Sequence, residues 1–389
     1  MRRFALGNDR SMPPSGGHSS RPRRRYRLRN GSTVSEFDDC TLLFSENEQQ
    51  IHLLNDTAGL LATRLASGAD LPELEQSIVS EEARSSTNAG FAADFLTQMI
   101  GLGLVVGEDA EPHRDTYEQM FEIAGVGFAI RYGTRELFES IAPAYAHLEG
   151  AATSSDPTNF ALSADGPLVL IAEEDHPAEV VEAEQAGVIL KGLILERVLD
   201  RADHLCALHA GMMIRDGHAV LLVGHPGAGK STMAMTLSGR GYSCEGDDVT
   251  LIDRGGRARG VCLAPAIKEP AWPIARAQQA DVDQLPVHLR PDGQRVKFLP
   301  ASPPAIKRPV AVAAIVLLDR DGSSPPVTHD LSTPEALAAV MAEARSLSGR
   351  CSTATFEALA ELIRSARCVR LSYGEAAEGA TVIEGLGRS

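Results

Sequence analysis

The chain has 389 residues, 43% of them hydrophobic, which is enough for two or three domains with a sizeable core. Its formal net charge of −15 argues against a nucleic-acid-binding protein, because phosphate backbones require clustered Lys and Arg. It has no run of about 18 apolar residues, so we expect neither a membrane span nor a membrane partner.

The first thirty residues are basic. They hold nine arginines against a single acid, Asp9, and no apolar cluster around which a fold could form. We predict that residues 1–30 are a disordered, arginine-rich arm. The arm is interpreted as a solvated tail, with contact to an acidic surface as the alternative, and its role stays open.

Residues 31–108 predict a small α+β domain with a hairpin, three helices and a closing strand, an order that is winged-helix-like. Asp56 is the expected cap of the first helix, and Gly68 is its expected stop. The predicted elements are hairpin strands at residues 41–44 and 51–54, helices at 56–67, 72–79 and 91–99, and a strand at 101–106.

This segment resembles the PqqD-like peptide-recognition family. The likeness rests on residues 53–58 (LLNDTA), which open the first helix, and on residues 101–104 (GLGL), which close the last. The resemblance implies that a leader peptide binds as an added strand beside the hairpin. With 13 acids and two bases over residues 31–108, the domain would suit a leader carrying Lys or Arg and not a nucleic acid. An unrelated small regulatory domain is the alternative.

Residues 111–204 carry no recognisable chemistry. Apolar runs predict strands at residues 121–130 and 167–172, and apolar spacing predicts a helix over residues 178–199. We interpret the segment as a subdomain that packs against the part of the chain that follows it.

The stretch GHPGAGKS satisfies the G-x-x-x-x-G-K-[ST] motif of a phosphate-binding loop, between a strand-like and a helix-like run. Its glycines allow backbone N–H groups to converge on an anion at a helix N-terminus. Lys230, one of only five lysines in the chain, would contact the β and γ phosphates of ATP, and Ser231 would ligate Mg²⁺. The predicted nucleotide-binding residues are Gly224, His225, Pro226, Gly227, Ala228, Gly229, Lys230, Ser231 and Thr232.

Two adjacent carboxylates, Asp247 and Asp248, follow Lys230 by 17 and 18 residues. One helix and one turn therefore separate them from the loop, whereas a generic NTPase places its acidic motif far downstream. His209 precedes Lys230 by 21 residues, ahead of a turn-prone Asp-Gly pair. A hairpin of that length would bring His209 back beside the phosphate loop.

Together these elements resemble the HPr serine kinase/phosphorylase family, in particular its HPr-kinase-related branch. The likeness rests on the His-Ala-Gly strand at His209, the phosphate loop, the Gly241-Tyr242 step and the aspartate pair, and covers residues 205–263 best. It implies an α/β P-loop kinase core of the HPr kinase type over residues 205–389. It also implies transfer of a phosphoryl group from a nucleotide to a serine hydroxyl of a protein or peptide.

The resemblance assigns roles to single residues. Asp247 would be the base towards the acceptor hydroxyl, and Asp248 would help to bind Mg²⁺. The implied catalytic set is Asp247, Lys230 and His209, although His209 is equally interpreted as a structural residue. Lys268 would be a second cation facing the phosphates and Glu269 a contact to Mg²⁺ or to the acceptor, with a plain charged pair before a proline as the alternative.

The chain departs from the family in its loop, which reads GHPGAGKST instead of a Gly-Asp-Ser-Gly loop ending in Lys-Ser-Glu. It also has no stretch like the later arginine signature associated with phosphorolysis, so HPr itself is in doubt as the acceptor. One basic cluster lies downstream, and Arg295 and Lys297 are preferred in it because their run is strand-like. The cluster consists of Arg290, Arg295, Lys297, Lys307 and Arg308.

The remaining elements are predicted from short apolar runs and helical spacing. They are strands at residues 261–266, 295–300, 311–318 and 369–373 and helices at residues 334–344, 355–366 and 375–386.

We therefore expect a kinase that uses ATP and Mg²⁺ to phosphorylate a serine of a ribosomally made precursor peptide, as lasso-peptide tailoring kinases do. A non-catalytic ATP-sensing regulator and a kinase of an HPr-like carrier are the alternatives. The six cysteines contain no C-x-x-C pair and indicate core thiols in a reducing cytoplasm. Whether the chain forms a homo-oligomer is left open, as are the acceptor and the nucleotide preference.

Overall fold

The computed structural model describes residues 25–386 apart from short gaps. The gaps are residues 39, 47–48, 82–90, 108–116, 151–155, 166, 175, 177, 226, 279–280 and 346–350. The arm expected over residues 1–30 thus lies mostly outside the described residues. The chain divides into two compact units, Met1–Ala93 with Glu108–Glu111 and Asp94–Gly107 with Pro112–Ser389, whereas the sequence places a boundary at residue 108.

The first unit is built on a three-stranded antiparallel sheet in the order β2-β3-β4, packed against α1. Leu43 in β3 is fully buried, whereas Phe44, Ile51 and Leu53 on the other face are exposed. The elements are β1 (Tyr26–Leu28), β2 (Ser32–Glu36), β3 (Thr41–Ser45), β4 (Gln50–Leu54), α1 (Asp56–Ala66) and α2 (Leu71–Glu81).

The predicted hairpin and helices of this unit are confirmed, with corrections at their ends. The cap of α1 is Asn55 and not Asp56, because the Asn55 side chain accepts a hydrogen bond from the Ala58 N–H at 2.8 Å. Gly68 does end the helix, with φ of 79°. The prediction that residues 1–30 are disordered is wrong at β1, since Tyr26 is buried and exchanges backbone hydrogen bonds with Ala69.

The predicted strand at residues 101–106 is also wrong in its bounds. Helix α3 (Phe91–Gly101) continues through Gly101, and the strand that follows it, β5, covers only Val105–Gly107. Strand β5 belongs to the second unit, where a Cβ added at Gly107 would collide with Leu170.

The second unit begins with a five-stranded sheet in the order β10-β9-β8-β7-β6, backed by α5 and by a core of apolar side chains. The single strand expected over residues 121–130 is two strands, because Ala124 and Gly125 have φ of 52° and 85° and form a tight hairpin turn. The helix expected over residues 178–199 is a strand followed by a helix. The elements are β6 (Tyr117–Ile123), β7 (Val126–Tyr132), α4 (Arg135–Ile141), β8 (Thr158–Asp165), β9 (Leu168–Glu173), β10 (Glu179–Glu182) and α5 (Ala186–Arg201).

The rest of the second unit alternates strands and helices. Its elements are β11 (Cys206–Leu208), β12 (Ala210–Arg215), β13 (His218–Val223), α6 (Lys230–Ser238), β14 (Ser243–Gly246), β15 (Thr250–Ile252), β16 (Ala258–Gly260), β17 (Ala266–Lys268), α7 (Trp272–Gln278), β18 (His288–Leu289), β19 (Arg295–Phe298), β20 (Val312–Asp319), β21 (Val327–Asp330), α8 (Thr333–Ala342), β22 (Ala344–Arg345), α9 (Thr353–Ser365), β23 (Arg367–Ser372) and α10 (Ala376–Leu386).

A six-stranded sheet in the order β14-β12-β13-β20-β23-β21 forms its centre. Strands β13, β20 and β23 are parallel, and β20 is largely buried, as its apolar sequence predicts. Successive residues of β13 point to opposite cores: Leu221 packs with α8 and α9, and Leu222 packs with α6 and α10. The mixed α/β fold class is therefore confirmed.

Two smaller sheets adjoin the centre, in the orders β16-β15-β11-β22 and β17-β19-β18. The strand expected over residues 261–266 is wrong, because residues 261–265 connect β16 and β17 without strand pairing. The strands expected at 295–300, 311–318 and 369–373 and the three C-terminal helices are confirmed with small shifts at their ends.

In the described parts of the chain, every helix is too short or too polar to cross a lipid bilayer. Cys206, Cys262 and Cys368 are buried, as core thiols should be, but Cys351 is exposed, so that prediction is wrong for Cys351.

We predict that acid weakens the fold through His288. Its ring is 2% exposed and lies 4.7 Å from the ring of Phe298, and burial lowers its pKa from 6.5 to about 4. The unfolded chain therefore binds this proton first as the pH falls. The stabilisation is complete above the unfolded pKa and is lost towards the folded one, a change of up to about 3 kcal/mol.

Urea denaturation of the wild type and of His288→Gln at about pH 7.5 and about pH 4.5 measures this contribution. The variant should lose less stability on acidification than the wild type does. Parallel losses in the two proteins would contradict the assignment.

Candidate functional site

The predicted phosphate loop connects the end of β13 to the start of α6, the position that an anion-binding loop requires. Gly227 and Gly229 have φ of 92° and 90°, which other residues adopt only with strain. A Cβ at Gly229 would also lie 2.5 Å from the hydroxyl of Tyr373. Glycine is therefore required at residue 229 for both conformation and space. Pro226 lies outside the described residues.

Tyr373, the residue after β23, fixes the loop from the side. Its hydroxyl donates a hydrogen bond to the carbonyl oxygen of Ala228 at 2.9 Å, and its side chain is buried. Burial raises the pKa of this hydroxyl, so that it remains a donor. The sequence did not single out Tyr373, because only the parallel pairing of β20 and β23 places it beside the loop.

Lys230 is buried at the N-terminus of α6, and its Nζ donates to the carbonyl oxygen of Gly224 at 2.5 Å. Burial lowers the pKa of this ammonium group. Three carboxylates oppose the shift, those of Glu343, Asp248 and Asp247. The ammonium group of the loop lysine is therefore close enough to these three carboxylates to feel their negative charge.

Asp247 follows β14 and is 7% exposed. Its Oδ2 accepts a hydrogen bond from the Ser231 hydroxyl at 3.1 Å, which joins the loop to the aspartate pair. Burial raises the pKa of Asp247, while the positive charge of Lys191 and the bond from Ser231 hold the rise back. A carboxyl with a raised pKa is suited to act as a general base near neutral pH.

His209 lies between β11 and β12, where the chain passes from one sheet to the next. Its Nε2 is 3.0 Å from Asp248 Oδ1, and its Nδ1 is 2.9 Å from Glu343 Oε2. The His209 backbone N–H also donates to the Glu343 carbonyl oxygen at 2.9 Å. The ring is therefore held between two carboxylates, one of which belongs to the predicted pair.

Glu343 was missed by the sequence analysis. It ends α8, 134 residues after His209, and no motif marks it. Antiparallel pairing of β22 with β11 brings it beside His209. Only the register of that short strand pair could have identified it.

The structure does not bring Lys268 and Glu269 to the loop by any hydrogen bond or ion pair among the described residues. Glu269 Oε1 lies 3.3 Å from Arg295 in an exposed ion pair. A hydrogen bond from the Gln294 backbone, and then the charges of Arg290 and Lys268, lower the pKa of Asp292. Lys268 ends β17 and the ion-pair partner of Glu269 is Arg295, so the roles predicted for Lys268 and Glu269 stay predictions.

The other members of the basic cluster are engaged elsewhere or exposed. Lys297 is buried and donates to the carbonyl oxygens of Val282 and Asp283 at 2.6 and 3.1 Å. Arg290 lies 3.2 Å from Asp292, while Lys307 and Arg308 are exposed. Lys297 thus stabilises a neighbouring turn.

Among the residues that the structure describes, no three His, Cys, Asp or Glu side chains are arranged to hold a metal ion by themselves. Mg²⁺ is usually bound by one or two carboxylates together with substrate phosphates and water. The Ser231 hydroxyl and the Asp248 carboxylate fit that pattern. Ser231 belongs to the phosphate loop and is bonded to Asp247, and Asp248 is the next residue after Asp247. Glu269 does not, since it pairs with Arg295.

We predict that Glu343→Gln slows any phosphoryl transfer at this site about tenfold without weakening the binding of ATP, because the amide no longer fixes the His209 ring as an anion does. Removing a negative charge near Lys230 also lowers repulsion against a triphosphate. Steady-state kinetics and direct ATP titration separate the two effects. An exposed control, Glu361→Gln, should change neither, and weaker ATP binding by Glu343→Gln would refute the assignment.

No profile of a known protein family matches the chain, and no curated protein is significantly similar to it.

Proposed function

We propose that the protein is an ATP-dependent serine kinase with a P-loop core of the HPr-kinase-related type, acting on a peptide or protein. The observation that carries the proposal is the hydrogen bond of 3.1 Å between the loop hydroxyl of Ser231 and the buried carboxylate of Asp247. A phosphate-binding loop and a base that share one hydrogen bond lie close enough for an acceptor hydroxyl to meet a terminal phosphate.

In the proposed reaction the loop N–H groups and Lys230 bind the phosphates of ATP, and Lys230 exchanges the Gly224 carbonyl for phosphate oxygens. The acceptor serine oxygen forms a bond to the γ phosphorus as the bond from that phosphorus to the β–γ bridging oxygen breaks. ADP leaves with the electron pair of the broken bond. The serine proton passes to Asp247, whose raised pKa favours this role.

Mg²⁺ would be held by Ser231 and Asp248 together with phosphate oxygens, and when bound it supplies positive charge to the transferring group. His209 orients Asp248 through the contact of 3.0 Å, and Glu343 fixes the His209 ring from its other nitrogen. These residues therefore position the carboxylate that faces the metal.

We propose further that residues 31–108 are a winged-helix-like, PqqD-like module, and that the sheet β2-β3-β4 within it binds the acceptor's leader segment. Strand β4 is an edge of its sheet, so its outer backbone groups can pair with an added strand. Antiparallel register places Ile51 opposite Phe44 and Leu53 opposite Leu42 on one face. Ile51 and Leu53 are 67% and 73% exposed, which offers apolar contacts to a bound strand.

The double variant Ile51→Ser/Leu53→Ser should turn over a leader-bearing precursor at least about tenfold less efficiently through a higher KM, since apolar anchors dominate such interfaces. The kcat for a short peptide without a leader should not change. Both side chains are exposed, so the melting temperature should also stay constant. An unchanged KM for the precursor would contradict the binding role.

The proposal itself is tested by incubating the full chain with ATP, Mg²⁺ and serine-containing peptides, and by mass spectrometry for one added phosphate group. Precursor peptides encoded beside the gene are the first to be tried. Binding of ATP without transfer to any serine would support a nucleotide-sensing regulator instead.

A further inference from the structure

A cavity of about 270 Å³ lies along helix α6. Four residues of the helix line it, Ser231, Ala234, Met235 and Ser238, and their spacing of three and four places them on one helical face. Because α6 rises 1.5 Å per residue, this wall is about 10 Å long. The cavity is therefore elongated, and its first residue is the loop hydroxyl that bonds to Asp247.

The lining is uncharged throughout. The rest of the lining includes Pro265, Ala275, Leu299 and Ser302, and none of the described side chains that line the cavity belongs to Asp, Glu, Lys, Arg or His. In a chain with a net charge of −15 and 23% charged residues, a neutral lining next to a cluster of carboxylates is a local exception. An uncharged site excludes phosphates as occupants, because it provides no cation to replace their hydration.

The size of the cavity also limits what it accepts. Ligand pockets for drug-sized molecules have volumes of about 300–1,000 Å³, so this cavity is small for a nucleotide. A wall about 10 Å long matches about three residues of extended peptide.

We propose that this cavity is the subsite for the residues that flank the acceptor serine, and that it selects about three small, uncharged residues on one side of it. The inference rests on the proposed kinase function and adds its substrate class. Ser231 connects the two sites: its hydroxyl contacts Asp247 at the reacting end and its helix continues as the cavity wall. A charged residue placed against this lining would lose part of its hydration without gaining a partner of opposite charge, and so would be disfavoured.

A positional peptide library tests the inference. Peptides with one central serine and one defined residue at each flanking position are incubated with the full chain, Mg²⁺ and radiolabelled ATP, so that slow turnover is still counted. Neutral small residues should be preferred over Asp, Glu, Lys and Arg by at least about tenfold on one side of the serine and not on the other.

Two variants connect that preference to the cavity. Ser238→Phe in α6 and Ser302→Phe after β19 each place a bulky ring at the cavity, and both serines are exposed, so that folding should be preserved. Each should raise the KM for the preferred peptide about fivefold or more while leaving the KM for ATP unchanged. The matched control Thr328→Phe, an exposed hydroxyl on β21 that does not line the cavity, should leave both constants unchanged.

The outcomes separate the inference from the kinase proposal. Phosphorylation of serine peptides without regard to charge, or a preference that both filled variants retain, overturns the subsite and leaves the kinase standing. Phosphorylation of no serine peptide by a protein that binds ATP overturns both.

Discussion

Asp247→Asn should abolish phosphoryl transfer and leave nucleotide binding nearly intact. The amide cannot accept the serine proton, and a general base of this kind contributes about 10²–10⁴ in rate. The substitution keeps the shape of the side chain and an oxygen that can accept the hydrogen bond from Ser231, which is 3.1 Å away in the wild type. It also removes a buried negative charge, so the phosphate loop should not lose affinity.

Isothermal titration with ATP and single-turnover transfer to a peptide measure the two halves of this expectation. The dissociation constant should change by less than about threefold while kcat falls by at least about 10². Asp216→Asn, in the exposed turn after β12 and at the end of the hairpin away from the loop, is a control that should affect neither. Loss of ATP binding in Asp247→Asn would remove Asp247 from the role of base.

Lys230→Ala should abolish both transfer and tight binding of ATP. The ammonium group is the one cation that the loop itself supplies, and burial at the N-terminus of α6 strengthens its attraction for phosphate. Its removal also leaves three nearby carboxylates uncompensated: Asp247, Asp248 and Glu343. Affinity for ATP should therefore fall by at least about 10², corresponding to about 2.7 kcal/mol.

Lys307→Ala is the charge-matched control for that variant, because Lys307 is exposed. Fluorescent ATP-analogue binding and a thermal melt of both variants separate loss of the site from loss of the fold. Wild-type affinity in a folded Lys230→Ala protein would show that the loop is not the phosphate site.

The sequence predicts the parts of this fold that depend on neighbouring residues. The 3.6-residue apolar period locates α8, α9 and α10, and the polar turn between two apolar runs locates the hairpin of β3 and β4. Errors arise where a turn depends on backbone angles that the sequence does not reveal. At Ala124 and Gly125, positive φ angles divide one predicted strand into two.

The candidate site follows the same division. Lys230, Ser231 and Asp247 are predicted because only one helix and one strand separate the phosphate loop from Asp247, and so short a connection keeps the two close together. Glu343 and Tyr373 could not be predicted, since their partners His209 and Ala228 lie more than a hundred residues away in the sequence. Lys268 and Glu269 are close to Asp247 in the sequence, but among the described residues no hydrogen bond or ion pair joins them to the phosphate loop.

The bond from Tyr373 to Ala228 has a consequence for biosynthesis. The phosphate loop is translated more than a hundred residues before Tyr373, and Glu343 also follows it late in the chain. A partly synthesised chain on the ribosome therefore has the loop without these two contacts. The loop would gain this lateral support only when β23 takes its place between β20 and β21 in the six-stranded sheet.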